Sequence, residues 1–262
     1  MNSGLRIGVG GGLGRMGLAV AGIVRDRPGM EVSARFDRPG ALDTGGDPVP
    51  LTSLAKALSL CDVIIDFSTG HATAALAGAA AAAGGPALIL GATGLSAEHD
   101  RVVAEAAATV AIVQSGNYSV GVNVLAGLVE QAARRLGPEI WDIEVFEAHH
   151  RRKVDAPSGT ALLLAAAAAR GRGRTLADIR LPVREGITGP RPTGGIGLMA
   201  MRGGGFVGEH SVVFAADEEL ITLSHSARDR ALFARGAVEA AAWVAGKPPG
   251  LYDMVDVLGF RD

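Results

Sequence analysis

Short apolar runs alternate with helical periodicity along the first 120 residues of the chain. The apolar runs occupy residues 5–9, 30–36, 61–67, 86–90 and 109–113, and the helical stretches occupy residues 15–26, 51–60, 71–83 and 96–108. Strands separated by helices of this length form crossover connections, which give a parallel sheet with helices on both faces. Residues 63–67 and 86–90 are apolar at nearly every position, as strands buried on both sides should be. This part of the chain therefore predicts an α/β domain.

The pattern changes from about residue 120. A helical stretch at 120–136 precedes a segment in which Trp141, Ile143 and Val145 alternate with polar or aromatic neighbours. This period of two predicts a half-buried strand at 140–148.

The remaining elements follow from the same reasoning. A helix is expected within 149–170, and 171–205, rich in glycine, arginine and proline, is expected to be loop with short elements. The runs 206–215 and 219–227 predict an antiparallel hairpin. A last helix at 229–245 ends at Gly246, with two prolines just beyond. We expect an α+β domain over 120–230, inserted before a last helix that returns to the first sheet.

Composition narrows the possible partners. The 262 residues carry 25 basic and 27 acidic side chains, so the chain has no global field for nucleic acid or anionic membrane. Its one cysteine, Cys61, excludes an intramolecular disulfide and fits a reducing, cytoplasmic compartment. No secretory signal is expected. The alanine-rich stretch 71–97 is interrupted by Gly84, Gly85 and Pro86, which favours a helix and a strand over a membrane span.

A glycine-rich turn follows the first apolar run. Gly11, Gly14 and Gly17 are spaced as G-x-x-G-x-x-G between a predicted strand and a predicted helix. Such a turn needs residues free to adopt positive φ, and without side chains a pyrophosphate can approach the backbone and the positive end of the helix. The spacing alone also fits an ordinary turn, but its position predicts a dinucleotide site of the Rossmann type.

Two charged residues end the second predicted strand. Asp37 lies 20 residues after Gly17, where a carboxylate would accept from the adenosine ribose 2′-hydroxyl. Arg38 can pair with a 2′-phosphate, although it is also an ordinary loop charge. The pair predicts a site that accepts NADH or NADPH.

The densest chemistry lies in EAHHRRKVDAPSGTA (147–161), where His149, His150, Arg151, Arg152 and Lys153 are five consecutive cations or potential cations. Such a run is often only a solvated face. Here it precedes a proline and small residues that mark the start of a helix, so cationic donors and an anion-binding helix end come together. This combination predicts a receptor for carboxylates.

His149 and Lys153 are the groups in this run that can move or steer protons. Imidazole titrates near neutral pH, and neighbouring side chains on a strand point to opposite sides, so the two histidines are expected to differ in role. The histidines of the chain show no H-x-x-x-H spacing and Cys61 lies in another element, so we expect no metal site.

These stretches resemble the dihydrodipicolinate reductases (4-hydroxy-tetrahydrodipicolinate reductases) of bacterial lysine and diaminopimelate synthesis. The 147–161 stretch is specific to that family, and the resemblance runs in order along nearly the whole chain. The other matching stretches are GGLGRMG (11–17), DFST (66–69), GATG (91–94), NYSVGVNV (117–124), GGIG (194–197), RGGGFVGEH (202–210) and GLYDMVDVL (250–258).

The resemblance implies a cytoplasmic homotetramer that reduces a small cyclic dicarboxylate with NADH or NADPH. It implies a Rossmann domain over 1–119 and 231–262, with substrate binding and oligomerisation over 120–230. His149 would be the catalytic acid/base and Lys153 a second proton donor, while His150, Lys153, Ser158, Gly159 and Thr160 would hold carboxylates. The cofactor-binding residues implied are Gly11, Gly12, Leu13, Gly14, Arg15, Met16, Asp37, Arg38, Gly91, Ala92, Thr93, Ser115, Gly116, Asn117 and Tyr118.

Departures from the family pattern lie on the cofactor side. Ala92 stands where the family usually has threonine, and Gln114, Ser115 and Gly116 stand where small apolar or aromatic residues are common. Two other functions remain open at this point. A two-domain amino-acid dehydrogenase, such as an aspartate dehydrogenase, shares the glycine loop, and a non-catalytic NADPH-sensing protein would need no chemistry beyond the first domain. Neither accounts for the 147–161 stretch.

Overall fold

The computed structural model describes residues 4–43 and 46–260. These residues form two compact units. One contains the described residues up to Val120 together with those from Ala231 onwards, and the other spans Gly121–Arg230. The fold prediction, a Rossmann-type parallel sheet followed by an α+β unit, is confirmed.

The first unit is built on a six-stranded parallel sheet. In space the strands run in the order β10-β5-β4-β3-β1-β2, so the chain reverses direction across the sheet between β1 and β3. Their bounds are β1 (Leu5–Gly10), β2 (Met30–Phe36), β3 (Val63–Asp66), β4 (Ala87–Leu90), β5 (Ala111–Gln114) and β10 (Gly250–Tyr252). The short β10 was not anticipated as a strand, because its three residues carry no periodic pattern.

Helices cover both faces of this sheet, and their starts follow from local capping. Ser53, Thr69 and Ser96 cap their helices by accepting a backbone N–H with the side-chain oxygen, the interaction that favours such residues at this position. The helices are α1 (Arg15–Asp26), α2 (Leu54–Leu60), α3 (Gly70–Ala83), α4 (Ala97–Ala106), α8 (Ala231–Val244) and α9 (Met254–Val257). Two apolar clusters result, one on each side of the sheet.

The second unit packs helices on one face of a four-stranded mixed sheet, in the order β7-β6-β8-β9. Alternation along β6 buries Ile143 and Val145 against α6, as the sequence predicts. The elements are α5 (Val120–Arg135), β6 (Asp142–His149), α6 (Gly159–Gly171), α7 (Leu176–Ile179), β7 (Ile196–Arg202), β8 (Gly208–Ala215) and β9 (Leu220–Ala227).

The expectation of loop with short elements over 171–205 did not identify a strand there. The last part of this segment forms β7, a seven-residue strand that pairs in parallel with β6 from Ile143 to His149. The sequence IGLMAMR is apolar at nearly every position and shows no alternation, and burial falls along the strand from its buried first two residues to its exposed middle. A continuous apolar run between two glycine clusters was the available signal. The missing strand matters because its last residue, Arg202, belongs to the site described below.

No helix among residues 4–43 and 46–260 has both the length and the apolar composition that crossing a bilayer demands.

Candidate active site

The glycine loop closes the end of β1. Gly11 has φ of +65°, a conformation that favours glycine. A Cβ on Gly17 would lie 2.3 Å from the Gly11 carbonyl oxygen, so the loop and the helix can approach this closely only with glycine at position 17. Gly14 occupies the N-cap of α1 and has no side chain with which to cap the first-turn N–H groups. The loop therefore presents an uncapped helix end to an anion, which fits the pyrophosphate of a nicotinamide dinucleotide.

Asp37 follows β2 and faces this loop. One of its carboxylate oxygens accepts from the backbone N–H of Leu13 at 2.9 Å, and the other accepts from the N–H of Arg38 at 2.8 Å. Both contacts fix the carboxylate beside the glycine loop, as a ribose-binding residue needs to be fixed. The Arg38 side chain is exposed, and so is Arg15 at the first position of α1.

The third cofactor segment, Gly91 to Thr93, follows β4. A Cβ on Gly91 would lie 2.3 Å from the Phe67 ring, so this position requires glycine. Ala92 is buried and Thr93 is exposed. The Gly91 N–H donates to the main-chain carbonyl of Asp66 at 2.8 Å, which ties the loop to the end of β3.

Asp66 had no assigned role, but its carboxylate lies among these loops. It is 1% exposed, and it accepts from the hydroxyls of Thr73 at 2.5 Å and Ser68 at 2.9 Å. A Cβ on Gly10 would lie 2.6 Å from Asp66 Oδ1. Burial raises the pKa of Asp66, against the lowering effect of the hydroxyl donors. The carboxylate thus ties β3 to its own following loop, beside the glycine loop.

The fourth segment, Ser115 to Tyr118, follows β5. The Ser115 N–H donates to the Leu90 carbonyl, and the Ser115 hydroxyl contacts the backbone of Asn117. Gly116 is exposed. The Tyr118 side chain is 1% exposed, and its hydroxyl lies within hydrogen-bond distance of the Leu90 and Val113 carbonyls. Any contact of Tyr118 with a cofactor would therefore use its backbone.

All fifteen residues expected to bind the cofactor lie in the loops, or the first turn of the helix, that follow the carboxyl ends of β1, β2, β4 and β5. Ligands of open parallel sheets bind at this edge, next to the point where the strand order reverses. The structure therefore brings these residues to one edge of one sheet.

The basic run lies at the end of β6, in the second unit, and a buried carboxylate supports it. Glu147 is fully buried and accepts two hydrogen bonds from the Arg202 guanidinium, each at 2.7 Å. It also accepts from the Ser158 N–H at 2.9 Å and contacts His149 Nδ1 at 2.6 Å. Burial alone would raise the pKa of Glu147, but these donors lower it below its ordinary value. The residue is therefore an ionised carboxylate at neutral pH.

This contact determines which nitrogen of His149 is free. An ionised carboxylate only accepts hydrogen bonds, so Nδ1 of His149 carries a proton. Nε2 is then the nitrogen that can bind or release a proton; it points toward Gly208, where a Cβ would lie 3.2 Å away. A histidine held by a carboxylate in this way is oriented for acid/base chemistry.

Lys153 follows at the turn after β6. Its ammonium lies 2.8 Å from both carboxylate oxygens of Asp155, and its side chain is 21% exposed. Arg151 and Arg152, between the histidines and Lys153, are exposed.

The Ser158–Gly159–Thr160 turn starts α6. Ser158 is the N-cap, and its buried hydroxyl accepts from the Ala161 N–H at 3.1 Å. Gly159 is exposed, and its N–H belongs to the first turn, where helices offer no internal partner. Thr160 is half-buried. An anion can therefore reach the backbone at this helix end.

The two neighbouring histidines have different surroundings. His150 Nε2 lies 3.2 Å from the Arg230 guanidinium, whereas His149 contacts the Glu147 carboxylate. Because a guanidinium only donates, His150 Nε2 accepts, and its proton is on Nδ1. Burial, with the cations Arg152 and Arg230, lowers the pKa of His150. A neutral ring with one N–H donor is suited to holding a carboxylate oxygen.

Glu147 and Arg202 are two residues of this cluster to which the sequence analysis assigned no role. Every second residue from Ile143 onwards faces the buried side of β6, and Glu147 falls in that series. A carboxylate at an expected core position was therefore the signal for a buried charge. Arg202 had no comparable signal, because its position depends on the unpredicted strand β7. Among the described residues, no three histidine, cysteine, aspartate or glutamate side chains cluster closely enough to hold a metal ion.

Dinucleotide loops at the edge of a parallel sheet, together with an acid/base cluster on a second sheet, are the features of a two-domain nicotinamide-dependent reductase. The chain belongs to the dihydrodipicolinate reductase family. The family model for the N-terminal part of dihydrodipicolinate reductase matches residues 5–118, and the model for the C-terminal part matches residues 121–258. The chain is accordingly an NAD(P)H-dependent oxidoreductase of this family.

Individual relatives agree. A 4-hydroxy-tetrahydrodipicolinate reductase of Caulobacter vibrioides is 56% identical over the full length of both chains. One from Rhizobium rhizogenes is 47% identical and covers 97% of each chain. A dihydrodipicolinate reductase from Paenisporosarcina sp. TG-14, solved with dipicolinate bound, has the same fold, with a TM-score of 0.80, 24% identity and coverage of 97% of this chain and 98% of that one.

Proposed function

We propose that this chain transfers a hydride from NADH or NADPH to dihydrodipicolinate or its hydrated precursor, 4-hydroxy-tetrahydrodipicolinate. The product is tetrahydrodipicolinate, on the route to diaminopimelate and lysine. The observation that supports this proposal most strongly is the contact of His149 Nδ1 with the buried Glu147 carboxylate, at 2.6 Å, next to the exposed helix start at Gly159. A nucleotide sensor has no use for this arrangement, and an amino-acid dehydrogenase does not account for the family-specific stretch that builds it.

His149 is assigned as the acid/base. Its Nδ1 proton is held by Glu147, which leaves Nε2 to give a proton to the substrate as negative charge develops during reduction. The ring takes its proton back from solvent between turnovers. The hydrogen bond to Glu147 keeps the His149 ring in one orientation.

Lys153 is assigned as a second proton donor and a carboxylate contact. Its ion pair with the exposed Asp155 carboxylate is a surface interaction of small net strength. A dianionic substrate competes effectively with such a partner for the ammonium. Lys153 is therefore held near the site without being committed to a buried pair.

The substrate carboxylates are assigned to His150 and to the Ser158–Gly159–Thr160 turn. The Nδ1 proton of His150 and the N–H groups of the α6 first turn are donors suited to carboxylate oxygens. The positive end of the α6 dipole adds to this attraction.

The cofactor is assigned to the four loops at the edge of the parallel sheet, where it supplies the hydride when bound. The uncapped α1 start receives the pyrophosphate, Asp37 receives the ribose 2′-hydroxyl, and the exposed Arg38 guanidinium is free to meet a 2′-phosphate. Both NADH and NADPH are accepted on this assignment.

Arg38 is the residue through which cofactor preference can be tested. Arg38→Ala should weaken NADPH binding more than NADH binding, by about 1–3 kcal/mol for a lost charged contact. Dissociation constants for both cofactors, measured by fluorescence titration, check this. Equal losses for NADH and NADPH would show that Arg38 does not reach the 2′-phosphate.

A homotetramer formed through the second unit completes the proposal. One face of its sheet carries apolar side chains that the chain itself leaves exposed, among them Met199, Met201 and Leu220, at 48%, 40% and 68%. An apolar sheet face of this kind favours association with further copies. We place the enzyme in the cytoplasm, since the buried Cys61 is unpaired and fits a reducing compartment.

Substrate selectivity tests the proposed reaction. The purified protein should oxidise NADH or NADPH only when the cyclic dicarboxylate is supplied, freshly generated because the compound is reactive. Nicotinamide absorbance gives the rate. Turnover with oxaloacetate plus ammonia, and none with the dihydrodipicolinate precursor, would move the chain to the amino-acid dehydrogenases.

A further inference from the structure

His210 lies at the centre of the site, but the proposed reaction gives it no role. It stands on β8 directly opposite Glu147, and 4% of its surface is exposed. Its ring centroid is 5.2 Å from that of His149. Its Nε2 lies 3.2 Å from the Ser158 hydroxyl oxygen, and its Nδ1 has no hydrogen-bond partner among the described residues.

The direction of the bond to Ser158 depends on which nitrogen of His210 carries the proton. Ser158 Oγ accepts from the Ala161 N–H at the start of α6, and its own proton can be donated to a second partner. His210 Nε2 lies within hydrogen-bond distance of that hydroxyl. Burial, followed by the neighbouring His149, lowers the pKa of His210 to about 4. The ring is therefore neutral at physiological pH and carries one proton. With that proton on Nδ1, the lone pair of Nε2 accepts the Ser158 proton.

We infer that His210 is a positioning residue for substrate binding: by accepting the Ser158 proton, it holds the Ser158–Gly159–Thr160 turn in the shape that receives a substrate carboxylate. The inference rests on the proposed function of that turn. Glu147 holds the same turn from the other side through the Ser158 N–H. The backbone and the side chain of Ser158 are thus fixed independently, one by a charged and one by a neutral acceptor.

Two substitutions separate this role from simple packing. Asparagine reaches only as far as the Nδ1 position of histidine, so His210→Asn removes the acceptor that Ser158 uses. Glutamine reaches the Nε2 position and keeps a carbonyl acceptor there. We expect His210→Asn to raise KM for the dicarboxylate about 10-fold, with kcat and the KM for NADH nearly unchanged. His210→Gln should restore most of the loss.

A control and a double mutant test whether the effect passes through Ser158. His225 faces His210 across β8 and β9, so His225→Asn removes a neighbouring imidazole without touching Ser158 and should leave KM unchanged. In a cycle with Ser158→Ala, the His210→Asn effect should disappear once the hydroxyl is gone. Additive effects in the cycle, or an equal KM increase in His225→Asn, would overturn the inference.

The tautomer can be read without any substitution or substrate. Nitrogen NMR of histidine-labelled wild-type protein should show the His210 proton on Nδ1 at neutral pH. A proton on Nε2 would overturn the inference, whatever the activity. A wild-type protein that shows the expected tautomer but does not turn over the dicarboxylate would instead contradict the proposed function alone.

Discussion

Replacing either His149 or Lys153 by alanine should lower kcat by a factor of about 10²–10⁴, the usual cost of removing a general acid or base. Both groups act on the charge that develops as hydride arrives, so the loss should be in kcat more than in KM. The rate is measured with saturating cofactor, after confirming that each variant still binds NADH.

The neighbouring cations provide matched controls for this prediction. Arg151 and Arg152 belong to the same run and are exposed, so their alanine variants should change kcat little. His150→Ala should mainly raise KM, because His150 is assigned to a carboxylate contact. Near-normal kcat in both His149→Ala and Lys153→Ala would mean that the run only attracts the substrate electrostatically, and that the acid lies elsewhere.

Glu147→Gln should damage both catalysis and stability. The amide no longer offers the His149 Nδ1 proton a charged acceptor that orients the ring, and we expect kcat to fall by about 10- to 1,000-fold. It also leaves Arg202 without its buried counter-charge, which should lower the free energy of unfolding by about 3 kcal/mol. Steady-state kinetics and urea denaturation measure the two effects. Glu144→Gln is the matched control, since Glu144 pairs with arginines on the opposite face of the same strand.

The stability effect should depend on pH in a definite direction. Hydrogen bonds lower the pKa of Glu147 in the folded protein below its ordinary value of 4.5. The carboxylate therefore stabilises the fold fully above that value, and the contribution is lost as the pH falls through the lower folded-state pKa. The difference between wild type and Glu147→Gln should shrink on acidification below about pH 4.5. A difference that stays constant over this range would contradict an ionised Glu147.

Much of the first unit could be predicted from local patterns. Fully apolar runs define the inner strands, and the glycine spacing at 11–17 marks the turn where backbone and helix come within contact distance. These features are readable because each depends on residues close together in sequence. Several helix starts behaved in the same way, since one capping side chain, such as Ser53 or Ser158, marks each of them.

The residues that hold the site together could not be predicted from local patterns, because their contacts depend on strand pairing between distant segments. Arg202 reaches Glu147 only because β7 pairs in parallel with β6, across 55 residues. His210 meets Ser158 only because β8 pairs with β6 on the other side, across 52 residues. The sequence marked the groups assigned to proton transfer, His149 and Lys153. It gave no sign of the residues that hold these two groups, except that Glu147 places a carboxylate at a core position of β6.

The most direct measurement follows the hydride itself. NADH or NADPH carrying deuterium at the transferred position of the nicotinamide ring is mixed with the enzyme and freshly generated dihydrodipicolinate precursor, and the product is analysed by mass spectrometry. The account predicts one non-exchangeable deuteron in each molecule of tetrahydrodipicolinate. Oxidation of the cofactor with no deuterium in that product, or deuterium found only in aspartate when oxaloacetate and ammonia are supplied, would contradict it.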